Sequence, residues 1–178
     1  MDAANELAKD RMAYEAARKG PPEGFPRFPD VPAGRYVDPE FLSLEKSRMW
    51  KRAWLYVGHT DQAPNPGSWI LTRNTGSPIL IVRDREGIVR AFYNTCRHRG
   101  APLVKDAKGE SSAFTCGYHG WNYGLDGRLI SLRDKRDFVD LDFSCRSLIS
   151  VRCEVLGSLI FINEDPEATP LIEHFGPT

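Results

Sequence analysis

A chain of 178 residues, 41% hydrophobic and 27% charged, is long enough for one domain with a proper core and too short for two of ordinary size. Its 24 lysines and arginines balance 24 aspartates and glutamates, so no overall field draws it to nucleic acid or anionic lipid, and partners have to be recognised locally. Residues 1–19 mix Asp2, Glu6, Lys9, Asp10, Arg11 and Glu15 with alanines and hold no apolar run as long as a signal core or a membrane span, so the expectation is a soluble, cytoplasmic protein.

In chain order, residues 3–19 predict an alanine-rich helix with Leu7, Met12 and Tyr14, which Gly20, Pro21 and Pro22 stop because proline cannot continue a helix. From there to Pro32 the chain is proline-rich and expected to be irregular. A second helix is predicted from Asp38, an N-cap acceptor followed by Pro39 at the first helical position. Its apolar side is Phe41, Leu42, Leu44, Met49 and Trp50, and it runs to about Trp50 or Ala53. Short β-branched or aromatic runs follow at 55–58, 69–72, 78–83 and 88–93, separated by turn formers at 64–67, 74–76 and 84–87. Runs at 148–151 and 158–163 close the pattern, after a polar stretch at 132–146 without an assignable period. Strands of this length and spacing point to an antiparallel β-sandwich or barrel. The segmentation is thus an arm at 1–37, a β domain at 38–165 and, at 166–178, the start of a linker.

Between the two groups of strands lie Cys96-x-His98 and, seventeen residues later, Cys116-x2-His119. Each loop offers a thiolate and an imidazole from a tight turn, and Gly100, Gly117 and Gly120 let the backbone bend close to a shared centre. The four cysteines could form two disulfides, but in a reducing compartment a pair spaced with histidines is a metal-binding set. A tetrahedral Cys2His2 zinc site uses the same donors, so the spacing alone leaves zinc open. Cys145 and Cys153 have no partner at metal spacing and read as plain thiols.

With Asn94 before them and Tyr123 and Gly127 after them, residues 96–100 and 116–121 resemble the Rieske [2Fe–2S] domain of ring-hydroxylating oxygenase α subunits. The flanks at 49–59 and 156–163 resemble that family too, so the likeness covers roughly residues 38–165. It implies a mainly β fold, a Rieske-type antiparallel sandwich or barrel with a small cluster-binding subdomain, preceded by one or two N-terminal helices. It also implies that Cys96 and Cys116 hold one iron and that His98 and His119 hold the other through Nδ1, with the far edges of both imidazoles at the surface. Arg99, Gly100, Tyr118, Gly120 and Trp121 would surround these ligands, Tyr118 and Trp121 shielding them from water.

Two ferric ions, two sulfides and two thiolates sum to zero charge, which makes reduction easier than in a four-thiolate cluster. High-potential members of the wider family carry an extra cysteine in each loop and a serine after the second His-Gly pair. Here those places hold Ala101 or Pro102, Tyr118 and Trp121, which implies a low-potential centre. In the resembled oxygenases a second domain binds mononuclear Fe(II) through two histidines and a carboxylate. Only His59 and His174 remain here, so that iron is expected in a catalytic domain beyond Thr178, and this chain is expected to hold no catalytic residue. The implied partners are a reductase or ferredoxin donor and the catalytic oxygenase domain or subunit, in a trimeric homo- or hetero-oligomer, with neither nucleic acid nor membrane. A standalone Rieske ferredoxin-like carrier, and a binding module stapled by zinc or a cluster, are the alternatives. Arg97, Arg99, Lys105 and Lys108 give the ligand segment a basic edge suited to an acidic partner.

Overall fold

The computed structural model describes residues 3–22, 24–73, 75–133, 135–138 and 140–176. Asn74, assigned above to a turn, and the last two residues of the expected linker lie outside them. The chain forms two compact units, Met1–Asp38 and Pro39–Thr178.

In the first unit the alanine-rich segment forms α1, Ala3–Ala17. Propensity and side-chain pairs hold it: Lys9 lies 3.8 Å from Glu6, Arg18 pairs with Glu15, and Leu7, Met12 and Tyr14 stay exposed. The proline-rich stretch to Pro32 is irregular over its described residues, as expected, and after Pro32 the backbone regains its donors. Arg35 and Tyr36 donate to the carbonyls of Pro32 and Ala33, both at 3.0 Å, and open the single turn α2, Gly34–Val37.

The second unit begins with α3, Pro39–Glu45, which starts at the predicted proline and continues through a π-helical turn, Lys46–Trp50. Leu42, Leu44, Met49 and Trp50, expected to be a buried apolar side, remain 41% to 52% exposed, so backbone geometry holds this helix more than burial does.

The strands are β1, Leu55–His59; β2, Ser68–Thr72; β3, Ile79–Arg83; β4, Val89–Tyr93; β5, Lys108–Glu110; β6, Phe114–Thr115; β7, Asn122–Tyr123; β8, Leu129–Ser131; β9, Ser150–Leu156; and β10, Leu159–Asn163. The first four and the last fall on the predicted runs. β5 to β8 are too short to carry a period, and β9 runs past the expected 148–151 because Cys153 and Val155 keep register with Ile162 and Ile160 on β10. The chain ends in α4, Leu171–Phe175, whose Leu171 is buried against Trp54 and Phe161.

All strand pairs are antiparallel, in one sheet of order β1-β10-β9-β4-β3-β2-β5 and a small sheet β6-β7-β8. The central strands read as unbroken apolar runs because both of their faces are covered. Ile70, Ile79, Ile81 and Ala91 pack with Val151, Ile160 and Ile162 as the large sheet curls on itself. The alternate residues Trp69, Leu71, Leu80, Val82 and Phe92 face the other way and pack with Cys96, Phe114, Cys116, Trp121 and Tyr123. The small sheet and its loops are therefore built onto one face of the large sheet. The unassigned stretch at 132–146 closes this second core. It has no period because it is two 3-10 turns, Lys135–Asp137 and Ser144–Arg146, yet Leu132, Phe138, Leu141 and Phe143 all pack inward.

Candidate metal centre

The loops after β4 and after β6 have the same backbone frame. In the first, Cys96 N–H donates to Ala101 O at 2.8 Å and Gly100 N–H donates to Cys96 O at 3.0 Å. In the second, Cys116 N–H donates to Trp121 O at 2.8 Å and Gly120 N–H to Cys116 O at 2.9 Å. Gly100 and Gly120 take φ of 74° and 70°, the left-handed region that glycine enters without a Cβ clash. Gly117, read together with them, has no positive φ and is not needed for the bend.

Two buried side chains pin the frame. Asn94, at the end of β4, accepts from Leu103 and Val104 N–H at 3.0 Å each and donates to Val104 O at 2.8 Å, fastening the far end of the first loop. Tyr123 on β7 accepts from Arg97 N–H at 3.0 Å, which leaves its own hydroxyl hydrogen for Cys96 Sγ at 3.3 Å. Burial, and then the hydrogen bond to Cys96, push the Tyr123 hydroxyl pKa far up, so it stays a donor.

Cys96 and Cys116 are both 2% exposed and lie within reach of each other. Burial, with the neighbouring Cys116 adding to it, pushes the Cys96 thiol up; metal ligation displaces that proton. His98 and His119 stand with ring centres 4.6 Å apart and planes at 70°. His98 stacks on Trp121 at 4.9 Å and 7°, and Phe138 meets both rings edge-on, at 6.1 Å from His98 and 6.0 Å from Trp121. His119 lies under Tyr118 at 3.8 Å, and Tyr118 is 62% exposed. Burial, then His119 and Arg99, lower the pKa of His98 and keep the imidazole neutral, the form with a lone pair for a metal. His98 Nδ1 is buried without a hydrogen-bond partner among the described residues.

The sequence-marked residues thus converge: Gly100 and Gly120 close the turns, Trp121 and Tyr118 cover one imidazole each, and Arg99 lies exposed beside His98. Cys145 and Cys153 stand apart. Cys145 donates to Asp142 Oδ2 at 3.2 Å, and burial, with Glu154, pushes the Cys153 thiol up to about 12. His59 accepts locally from Asp61 N–H through Nδ1. Sequence reasoning missed the holding roles of Asn94 and Tyr123 and the whole contribution of Phe138. Asn94 did carry a signal, a polar residue at the end of an apolar strand and directly before the ligand loop; Phe138 carried none.

The donor set fits a two-iron cluster. Buried thiols belong to the same pair of loops as two partly exposed imidazoles, and one imidazole nitrogen lacks a partner inside. Among the described residues no three His, Cys, Asp or Glu side chains gather as ligands of one ion would. A [2Fe–2S] cluster of mixed ligation asks only two protein donors of each iron.

Residues 53–145, just over half the chain, match the family model of the Rieske [2Fe–2S] domain. This chain belongs to the Rieske [2Fe–2S] domain family. Among its relatives, the carnitine monooxygenase oxygenase subunit of Escherichia coli (strain K12) is 34% identical over 152 residues, 83% of this chain and 41% of that protein. Benzene 1,2-dioxygenase subunit alpha of Pseudomonas putida is 35% identical over 153 residues, 83% of this chain and 34% of that protein. The crystal structure of naphthalene 1,2-dioxygenase from Rhodococcus sp. superposes with a TM-score of 0.78 at 31% identity, over 82% of this chain and 34% of that one. This Rieske chain spans about a third to two-fifths of the length of these relatives, and among its described residues no helix is long and apolar enough to cross a membrane.

Proposed function

We propose that this Rieske chain is the electron-transfer part of an oxygenase α subunit, with Cys96 and Cys116 ligating one iron and His98 and His119 the other. The observation that carries the ligand set is the buried, partnerless Nδ1 of His98, on a loop whose cysteine, like that of the second loop, is buried. A bound [2Fe–2S] cluster supplies reversible one-electron storage, at roughly −150 to +300 mV for this ligand type. The protein's own part is to hold and dry it. Asn94 fastens the first loop, Tyr123 directs a hydrogen bond to Cys96 Sγ, and Trp121 with Phe138 excludes water from the His98 side. The two partly exposed imidazoles, with the exposed Tyr118 on His119, present the edge where an electron enters or leaves.

We take its partners to be a reductase or ferredoxin that donates the electron and a mononuclear iron site in a catalytic oxygenase domain that receives it, within a cytoplasmic trimeric assembly. The relatives named above are all subunits of oxygenases, which supports this reading.

Protein purified aerobically is expected to be brown, with two irons and two acid-labile sulfides per chain; zinc without inorganic sulfide overturns the ligand assignment. The reduced chain mixed with aromatic substrates and O2 is expected to yield no hydroxylated product. Stoichiometric product from it would overturn the purely electron-carrying role.

A further inference from the structure

Strands β9 and β10 carry one face into the core of the large sheet through Val151, Ile160 and Ile162, with Cys153 packed against them. The alternate residues Arg152 and Glu154, opposite Asn163 and Phe161 in register, lie on the other face. That face is not bare. Trp54 and Phe161 are each 9% exposed, Leu171 packed against them is 2% exposed, and the side chains of Arg152 and Glu154 are only 31% exposed. Their cover is the segment that follows β10, most of which the sequence presents as the start of a linker.

Side chains fasten this segment where strand and helix ladders do not. Trp54 Nε1 donates to Thr169 O at 2.9 Å, Arg152 Nη1 donates to Ala168 O, and Glu154 Oε2 accepts from Leu171 N–H at 2.9 Å. The three side chains also hold one another: Arg152 Nη2 donates to Glu154 Oε1 at 3.0 Å, and the guanidinium lies 5.5 Å from the centre of the Trp54 ring. At the upstream end Asn163 accepts from Asp165 N–H at 2.9 Å and donates to Arg52 O at 3.2 Å. Pro166 and Pro170 remove conformations that the segment would otherwise visit when free, which lowers the entropy lost on fastening it. A tether meant to swing needs none of these features.

We propose that residues 164–175 act as a rigid strut, clamped by Trp54, Arg152 and Glu154, which fixes the direction in which the chain leaves the cluster-bearing unit. The inference rests on the electron-transfer reading above, which places a catalytic oxygenase domain next in the chain, and it adds how donor and acceptor are kept in line. Electron transfer through protein slows exponentially with distance, so a stiff connection that holds one distance serves delivery better than a flexible one. Arg152 and Glu154 are positioning residues: they act through the backbone that they hold, not on the cluster.

Iron and sulfide content and reversible reduction by dithionite are measured first and decide the electron-transfer reading by themselves. The strut is then tested in the cluster-loaded, oxidised chain, with Cys145→Ser removing the exposed thiol and nitroxide labels carried on the exposed positions Arg85→Cys and Glu173→Cys. Pulsed electron paramagnetic resonance is expected to give one narrow distance. Arg152→Ala and Glu154→Ala are each expected to broaden it severalfold. In the unlabelled chain the same two changes are expected to speed cleavage by glutamyl endopeptidase after Glu167 by about tenfold or more, at unchanged iron content and midpoint potential. Glu154→Gln, which keeps an acceptor for Leu171 N–H, is expected to restore most of the protection that Glu154→Ala loses. Arg128→Ala, which removes the same charge where it pairs with Asp126 in the turn between β7 and β8, is expected to stay within about twofold of the parent. If Arg152→Ala does not load its cluster, the comparison of Glu154→Ala with Glu154→Gln decides alone. A broad distance distribution in the parent, or cleavage of the parent as fast as that of a free peptide of residues 161–176, overturns the strut. Protection that survives Glu154→Ala undiminished overturns the clamp, and either result leaves the cluster and its redox chemistry standing.

Discussion

The two cysteine–histidine loops share one backbone frame and differ in what covers them. Both close with an N–H from the cysteine to the residue five places on and with a left-handed glycine at the fourth place. Their histidines stand at different offsets, two residues after Cys96 and three after Cys116. His98 meets Trp121 face to face and Phe138 edge-on, whereas His119 lies against a mostly exposed Tyr118. Equal local hydrogen bonding thus carries two partly exposed imidazoles under different covers, one between Trp121 and Phe138 and one against an exposed tyrosine. The difference comes from what tertiary packing lays over each loop, not from the loops themselves.

The largest way to break the comparison is to remove what the loops share. Cys116→Ser or His98→Ala is expected to abolish normal iron and sulfide content and to lower the melting temperature of the second unit, because ligation contributes folding free energy; stripping the iron chemically from the parent is expected to do the same. Metal analysis with calorimetry checks this, and a melting curve indifferent to iron loss would show that the loops are folded without it. Next in size is Trp121→Ala, which empties a 3% exposed site beneath His98 and is expected to cost about 3 to 5 kcal/mol in denaturant unfolding. Asn94→Ala leaves the N–H groups of Leu103 and Val104 without their acceptor and is expected to cost about 1 to 3 kcal/mol.

Phe138→Ala sharpens the contrast between the two sides. Its expected cost is about 2 kcal/mol or somewhat more, since the residue is only partly buried, and it is expected to hasten loss of the iron at fixed pH by opening the His98 side. Optical bleaching against time follows it, and unchanged bleaching would mean that Phe138 packs without protecting. Tyr118→Ala sits at the small end, within about 0.5 kcal/mol of the parent by equilibrium unfolding, as for a surface residue. A loss as large as that of Trp121→Ala would show that both imidazoles are clamped alike and would dissolve the asymmetry.

Much of this was legible in the chain itself. Strands β1 to β4 and β10 were readable because they repeat apolar side chains densely between turn formers, and the ligand loops because thiolate, imidazole and glycine recur in two short segments. The Pro39 start of α3 was readable too, since a proline first in a helix loses only a hydrogen bond it never had. The strands of two and three residues, β5 to β8, were not readable, for a period needs length. Nor was the inward packing of Leu132, Phe138, Leu141 and Phe143, whose spacing obeys no repeat because 3-10 turns and irregular backbone bring them to one face. The apolar side of α3 misled, since amphipathic patterning states what can be buried and not what is.

The sequence by itself determined the candidate donors, their division between two loops and the family, because these depend on residue type and short spacing, which chain connectivity enforces locally. Only the tertiary structure decided that Trp121 and Phe138 cover His98 while Tyr118 lies on His119, and that Tyr123 reaches across 27 residues to Cys96. Those outcomes depend on strand order and on which side chains share a face. Pairing between segments distant in the chain sets both, and no local pattern encodes it.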